Sequence, residues 1–496
     1  MSEGDGAFDA RNEQVQALNL LRKESLDMFN RLHSISEDVN FVEEVYQAYP
    51  DIPILPNLRC GAWYTDPKIA AKEPGYFKST DGHYGNWSFN LRRPNLHLLP
   101  LAVSCHGMII VDSTRAGKRM PDALSKTVPI WCAVINRAVL RLREEELDGK
   151  PWDTRLYTPP VAVSAQEHRQ IEERLDEWAR SLAESSYILP CLPQPLRPLW
   201  ITPATSVFPP LPPKDERSFI SIVCVSASKQ IASGMERRQG GFAYVQGSGD
   251  DHELWGKGLT PEIFWENRET LLESSRSEIP SMVEKLVEGN RQRAARHANA
   301  KWTALPTPIA RVAGVLLLCK TADLPDTLPE SLPPDSGGGR VAYVIVHHKG
   351  NVKTAISPGD VDENAVDAYS NVLRLSTPEG KKGQMHFLEV ILPQSMSFVC
   401  SQFANERRIC FVCDDGRDVS VGIALAALQK FFDDSGRLTL SEEGNPVIRA
   451  DKETIRTRLQ WIITSYPLAN PSRTTLKRVN EFLLTPSSFR SKASIA

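Results

Sequence analysis

Apolar residues recur at helical spacing near the start of the chain, where Val15, Leu18, Leu21, Phe29 and Leu32 predict an amphipathic helix over 12–35. A Pro-, Gly- and aromatic-rich stretch follows over Pro50–Pro100, which predicts short strands and ordered loops. Leu101–Val111 is an apolar run that leads into the polar loop Asp112–Thr127 and then an apolar helix from Pro129 to about Arg143. Gln166–Leu182 reads as a second helix, Phe219–Val225 as a β-branched strand, and Pro261–Asn299 as a long, charged helix-forming segment. In the last third, strands at Val341–His347, Met385–Leu392 and Arg408–Cys413 alternate with helices at Val421–Phe432, Lys452–Ser465 and Thr474–Leu484. Such alternation predicts an α/β layer. The prolines and glycines over 321–340 read as a flexible insertion. The expected organisation is therefore an N-terminal α/β domain over 1–300, a connecting strand and insertion over 301–340, and a C-terminal α/β domain with a basic tail over 341–496.

Composition narrows the functional class. A chain of 496 residues, 41% hydrophobic and 24% charged, has the make-up of a globular protein of two or three domains. Its net charge of −3 provides no global field for nucleic acid, so any RNA contact must use local basic patches. The nine cysteines show no zinc spacing. Cys410 and Cys413 form one C-x-x-C, but on a strand residues three apart face opposite sides, which argues against a redox pair. Reduced, mostly buried cysteines predict a cytosolic or nuclear protein, with the cytoplasm as the expected compartment, and the acidic, polar N-terminus is not a secretory signal. The longest apolar run, Val312–Cys319, is too short to cross a bilayer.

The densest candidate chemistry follows the Arg408–Cys413 strand. Asp414-Asp-Gly-Arg-Asp-Val-Ser420 is a short Gly-containing turn that runs into the apolar helix. Strand, turn and helix in that order collect backbone N–H groups and a positive dipole end around one point, a nest suited to phosphate. The turn resembles the signature loop of cysteine-dependent phosphatases, in which an arginine stands six residues after the cysteine. Cys413 fits, but the arginine position is Val419, so the bidentate clamp needed for phosphoryl transfer is missing. Asp414 and Asp415 would also repel phosphate and raise the thiol pKa.

This turn, together with Gly85-Asn-Trp-Ser-Phe-Asn-Leu-Arg-Arg93, Asp112-Ser-Thr-Arg-Ala-Gly-Lys-Arg-Met-Pro-Asp122, Ser125-Lys-Thr-Val-Pro-Ile-Trp131, Gly247-Ser-Gly-Asp-Asp-His-Glu253 and Asn470-Pro-Ser-Arg-Thr-Thr-Leu-Lys477, is similar to motifs of the initiator-tRNA phosphoribosyltransferases. The resemblance implies a family-specific N-terminal domain and a C-terminal domain like a dual-specificity phosphatase. It also implies a reaction in which phosphoribosyl pyrophosphate gives its 5-phosphoribosyl group to the ribose 2′-hydroxyl of a T-stem adenosine in initiator methionyl tRNA. The bulky anionic mark would exclude that tRNA from elongation. No obligate protein partner and no membrane are implied.

Such chemistry needs a pyrophosphate site, a 5-phosphate site and help in deprotonating a hydroxyl. Asp112, followed by Ser113, Arg115, Gly117, Lys118 and Arg119, supplies an acid and a flexible basic loop at the end of a strand, with Lys126 shortly after. It echoes the donor loop of ordinary phosphoribosyltransferases but lacks that loop's second acid and its Thr-Gly-x-Thr core. Asp112 is the candidate base or metal ligand there. In the phosphatase-like turn, Asp414, Asp415 and Asp418 are candidate bases, while Cys413, Gly416, Arg417 and Ser420 are candidate phosphate ligands. Asp250, Asp251 and Glu253, in a Gly-flanked loop, suit Mg²⁺ through oxygen ligands. Arg92, Arg93, Arg291, Arg293, Arg296, Arg473, Lys477 and Arg478 are candidate RNA contacts, as are Arg490 and Lys492 in the tail. Two rival readings are a non-catalytic tRNA-binding protein on an inactive phosphatase fold and a divergent cysteine-dependent phosphatase.

Overall fold

The structure, a computed structural model, describes residues 16, 18–115, 117–143, 152–231, 236–296, 302–348, 371–378, 380–439 and 450–485. The chain divides into two compact units, Met1–Arg291 and Gln292–Ala496.

The first unit is built on a four-stranded parallel sheet formed by β1 (Ile54–Pro56), β2 (Gly107–Asp112), β3 (Leu196–Ile201) and β4 (Ile220–Ser226), in the order β1-β2-β4-β3. A short antiparallel pair, β5 (Glu236–Arg237) and β6 (Ala243–Tyr244), follows in the chain. Every residue of β2 and β4 is buried, as expected for central parallel strands covered on both faces. The helix Met28–Ala48 packs Leu32, Ile35, Val39 and Val42 into a core shared with Ile109, Val111, Val223 and Val225. It begins at Asp27, whose side chain caps the Asn30 N–H, so the helix expected over 12–35 is interrupted there and extends further downstream than the pattern implies. The crossover from β2 to β3 carries the helices Val128–Arg143, Ala165–Glu172 and Leu175–Ala183, so Gln166–Leu182 is two helices rather than one. Pro261–Asn299 likewise resolves into Pro261–Glu266, Arg268–Glu273 and Ile279–Arg296.

The second unit holds a five-stranded sheet made of β7 (Thr307–Pro308), β8 (Leu316–Lys320), β9 (Val341–His348), β10 (Val372–Thr377) and β11 (Arg408–Cys413), in the order β10-β9-β11-β8-β7. All pairs are parallel except β7 with β8. Two of these strands, β7 and β8, come from the segment read as connector and insertion. Its Pro/Gly loop is tied in, with Arg408 donating to the carbonyls of Ser336 and Gly338. Met385–Leu392, expected as a strand, is helical: Gly380–His386, a π-turn over Phe387–Ile391 and the helix Leu392–Ala404 run on continuously. A short apolar run does not distinguish a buried helix from a strand. The helix Val419–Phe431 is apolar on nearly all sides and sits among Leu392–Ala404, Lys452–Ser465 and Arg473–Leu484.

Candidate active site

In the first unit, the C-terminal ends of β1 and β2 open onto a polar cavity of about 150 Å³ lined by Arg59, Ser79, His83, Thr114, Arg115, Lys118, Asp122, Asp250 and Asp251. Ligands of open parallel sheets characteristically bind at this end of the strands. Asp112, the last residue of β2, lies beneath the cavity and is fully buried. Its carboxylate accepts from Asn57 Nδ2 at 2.9 Å, Cys60 Sγ at 2.9 Å and the Ser113 N–H at 2.9 Å. Burial pushes its pKa up, while Arg59 and these donors oppose that shift. With its oxygens so enclosed, Asp112 does not face a substrate, which corrects its expected role as base. It anchors Arg59 instead, whose Nε is 3.6 Å away.

Arg59 is the central cation of the cavity. Its Nη1 donates to both oxygens of Asp250 at 3.0 and 3.1 Å, and its Nη2 to the carbonyl of Ser113. Burial works against its charge, but Asp112 and Asp250 more than restore it, so the guanidinium stays ionised. Arg115, Gly117, Lys118 and Arg119 form an exposed basic loop, with Gly117 in the left-handed region at φ 89°. Lys118 Nζ reaches Asp122 at 2.5 Å, while Arg115 and Arg119 have no side-chain partner among the described residues. Gly247 backs this loop, since a Cβ there would lie 2.5 Å from the Thr114 carbonyl oxygen.

Several expected ligands are engaged elsewhere. Lys126 is buried, with its ammonium 2.9 Å from Asp122 and 3.0 Å from Glu167, so its charge is neutralised inside the fold. Arg93 binds Asp81 at 2.8 Å and packs over the Tyr76 ring, so it is not an exposed RNA ligand; Arg92 is half-buried beside it. The Asp250, Asp251 and Glu253 loop does not form a cation site. Asp250 is taken by Arg59, Glu253 is largely exposed, and among the described residues no three His, Cys, Asp or Glu side chains converge on one point. These residues do not fit an Mg²⁺ cage of the protein's own.

In the second unit the phosphatase-like turn has the expected strand, turn and helix, with Gly416 at φ 67° pressed against the Cys319 carbonyl and Lys320. Three of its N–H groups, however, are taken within the turn. Asp415 Oδ1 accepts from the Arg417 N–H at 2.9 Å and the Asp418 N–H at 3.4 Å, and the Gly416 N–H donates to the Cys413 carbonyl at 3.2 Å. The Cys413 thiol donates to Asp415 at 3.2 Å and lies 3.0 Å from Ser420 Oγ. Burial, reinforced by Asp415, pushes this thiol up to about 11, leaving it protonated at neutral pH. The Asp415 carboxylate thus takes the Arg417 and Asp418 N–H groups, and the Gly416 N–H, the Cys413 thiol and the Ser420 hydroxyl are engaged inside the turn. Asp418 is no better placed as a base: its carboxylate accepts the Ser472 N–H at 2.8 Å and joins two helix starts. Asp414 faces His347 Nδ1 at 3.3 Å.

Arg473 and Lys477 are exposed on the helix Arg473–Leu484, whereas Arg478 pairs with Glu481 at 2.7 Å. Arg291, Arg293 and Arg296 end the helix Ile279–Arg296, and their side chains lie outside the described residues, as do Arg490 and Lys492. Sequence reasoning missed Arg59 and His83. The only signal was Asn57-Leu-Arg-Cys60 following the apolar Ile52–Pro56, too short a pattern to separate site from turn.

Residues 21–288 match the Rit1 N-terminal domain and residues 371–483 match the Rit1 DUSP-like domain. An uncharacterised protein of Schizosaccharomyces pombe is 35% identical over 473 residues, covering 92% of this chain and 94% of that protein. The tRNA A64-2′-O-ribosylphosphate transferase of Saccharomyces cerevisiae is 31% identical, covering 94% of this chain and 93% of that protein. Among solved structures, two of PTPMT1, one of them in complex with PI(5)P, align at 14% and 16% identity with TM-scores of 0.21 and 0.24. They cover 39% and 38% of this chain and 100% and 99% of their own. On the strength of both domains and a near end-to-end relative, the chain belongs to the Rit1 family, with a DUSP-like C-terminal domain.

Proposed function

We propose that this protein is a tRNA-modifying transferase that moves a 5-phosphoribosyl group from phosphoribosyl pyrophosphate to a ribose 2′-hydroxyl of initiator tRNA. The observation that carries this reading is the 31% identity, along nearly the whole chain, to a protein named as a tRNA ribosylphosphate transferase. The cavity of the first unit supports it chemically. Arg59, Arg115 and Lys118 suit the oxygens of a pyrophosphate, while the exposed carboxylate of Asp251 suits sugar hydroxyls. In the reaction the bond from the sugar C1 to the pyrophosphate oxygen breaks and a bond from C1 to the 2′-oxygen forms. Pyrophosphate leaves with the bonding electrons, and the 2′-proton passes to a base. Cations fixed in advance around the leaving group favour the charge that develops on it. Asp112 is enclosed, so His83, whose Nε2 stands 3.6 Å from Asp122 at the cavity wall, is the side chain assigned to accept that proton.

RNA contact is assigned to the second unit. The Asn470 N–H donates to the Arg417 carbonyl at 3.0 Å and the Ser472 N–H to Asp418, which brings exposed Arg417 beside exposed Arg473 and Lys477. Duplex RNA is read largely through phosphates and 2′-hydroxyls, which such a patch can meet. The test incubates the protein with labelled donor and either initiator or elongator tRNA. Label confined to the initiator species supports the reading. Binding of tRNA without incorporation favours a non-catalytic tRNA-binding protein instead.

A further inference from the structure

We propose that Asp38 is a positioning residue for the donor cavity, acting through Ser228 and Ser113 on the loop that carries Arg115 and receives Arg59. This inference rests on the reading of that cavity as the donor site. Asp38 lies on the inward face of the helix Met28–Ala48, only 3% exposed, between the core residues Ile35 and Val39. No cation pairs with it among the described residues. A carboxylate buried without a countercharge is poor for stability, and an apolar side chain would serve a core better. Its hydrogen bonds indicate another role. Tyr244 Oη donates to one oxygen at 2.7 Å and Ser228 Oγ donates to the other. Ser228 Oγ in turn receives the Gly247 N–H at 3.1 Å and lies 2.6 Å from Ser113 Oγ.

Burial pushes the Asp38 carboxyl well up from the usual carboxylate range, opposed by the Ser228 and Tyr244 hydroxyls that hold it in place. Ser228 thereby ties Asp38, the Gly247 N–H and the Ser113 hydroxyl into one buried hydrogen-bonded cluster. This orients Ser113, whose carbonyl takes Arg59 Nη2 and whose successors Thr114 and Arg115 line the cavity. Gly247, held by the same Ser228, is the residue against which Thr114 and Arg115 pack. The helix also sends Arg31 to the carbonyls of Ser248 at 2.9 Å and Asp250 at 3.2 Å, steadying the loop whose Asp250 grips Arg59. One helix thus fixes both loops that set Arg59 and Arg115.

The test uses the full-length protein and inorganic pyrophosphate as calorimetric ligand, with KM measured separately for donor and tRNA. Asp38→Asn weakens pyrophosphate binding and raises the donor KM by roughly tenfold, the scale of coupling between contacting groups. The tRNA KM stays unchanged. Ser113→Ala does the same by itself, and the double variant is no worse than the weaker single. Val42→Ala, a core change on the same helix, lowers the unfolding temperature yet leaves donor affinity intact. If Asp38→Asn and Ser113→Ala bind pyrophosphate like wild type, or if Val42→Ala weakens it equally, the positioning role is overturned. Wild-type protein that takes up neither pyrophosphate nor donor overturns the donor-site reading itself, and this inference with it.

Discussion

At the residue scale, the two arginines of the donor cavity separate structure from binding. Arg59 is half-enclosed and neutralises the buried Asp112, so Arg59→Ala leaves a carboxylate without its cation. Urea unfolding should report a loss of about 3 kcal/mol along with lost donor binding. Arg115 is exposed and without a side-chain partner among the described residues, so Arg115→Ala should leave stability within about 0.5 kcal/mol. Its donor KM should nevertheless rise roughly tenfold, the value of a lost charged hydrogen bond, and an unchanged KM would remove Arg115 from the site. Cys413 gives the opposite case. The folded protein holds its proton more tightly than an unfolded thiol, which titrates at about 8.5. Its contribution to stability is therefore complete below that pH and is lost as pH rises through about 11. Against Cys413→Ser, wild type should lose relative stability in that window. The same variant should transfer label normally, because the thiol faces Asp415 and Ser420 rather than a substrate.

At the element scale, the helix Val419–Phe431 shows how packing overrides local preference. In an exposed helix, replacing Gly by Ala is stabilising by up to about 1 kcal/mol. At Gly422 a Cβ would lie 2.5 Å from Thr475 Cγ2 and 3.1 Å from Phe387 Cζ, so the neighbouring helices must move apart. Gly422→Ala should therefore destabilise by about 1–3 kcal/mol in thermal unfolding, and a raised melting temperature would contradict the close approach. The same dependence on neighbours explains what could be read from the chain. The strand Arg408–Cys413 and the helix after it were legible because an apolar run, a Gly-containing turn and an Ala/Leu-rich run follow in order. Met385–Leu392 was not, because its apolar residues fit a strand as well as one buried side of a helix. Whether the nest after β11 stood open was equally hidden. Asp415 reads the same along the chain whether it points to solvent or turns back onto its own loop.

At the scale of the whole molecule, a net charge of −3 means that RNA must be drawn by a patch rather than by the overall field. Charge reversal at Arg473 and Lys477 should weaken tRNA binding and shallow its salt dependence by about 0.7–0.9 for each phosphate no longer neutralised. Filter binding over a salt series would show it, and an unaltered slope would place the RNA elsewhere. Among the described residues no helix is long and apolar enough to cross a membrane.

By itself the sequence determined the α/β class, the strand ends that bear the polar loops, and the family, because these follow from local periodicity and contiguous motifs. Only the tertiary structure decided which charges remain available. Asp112 is closed in by Cys60 from 52 positions away, and Arg59 is held by Asp250 from 191 positions away. Lys126 is neutralised by Glu167 across 41 positions. Burial and charge pairing are properties of approach in space, and a carboxylate or ammonium carries no mark in the chain of which partner will reach it first.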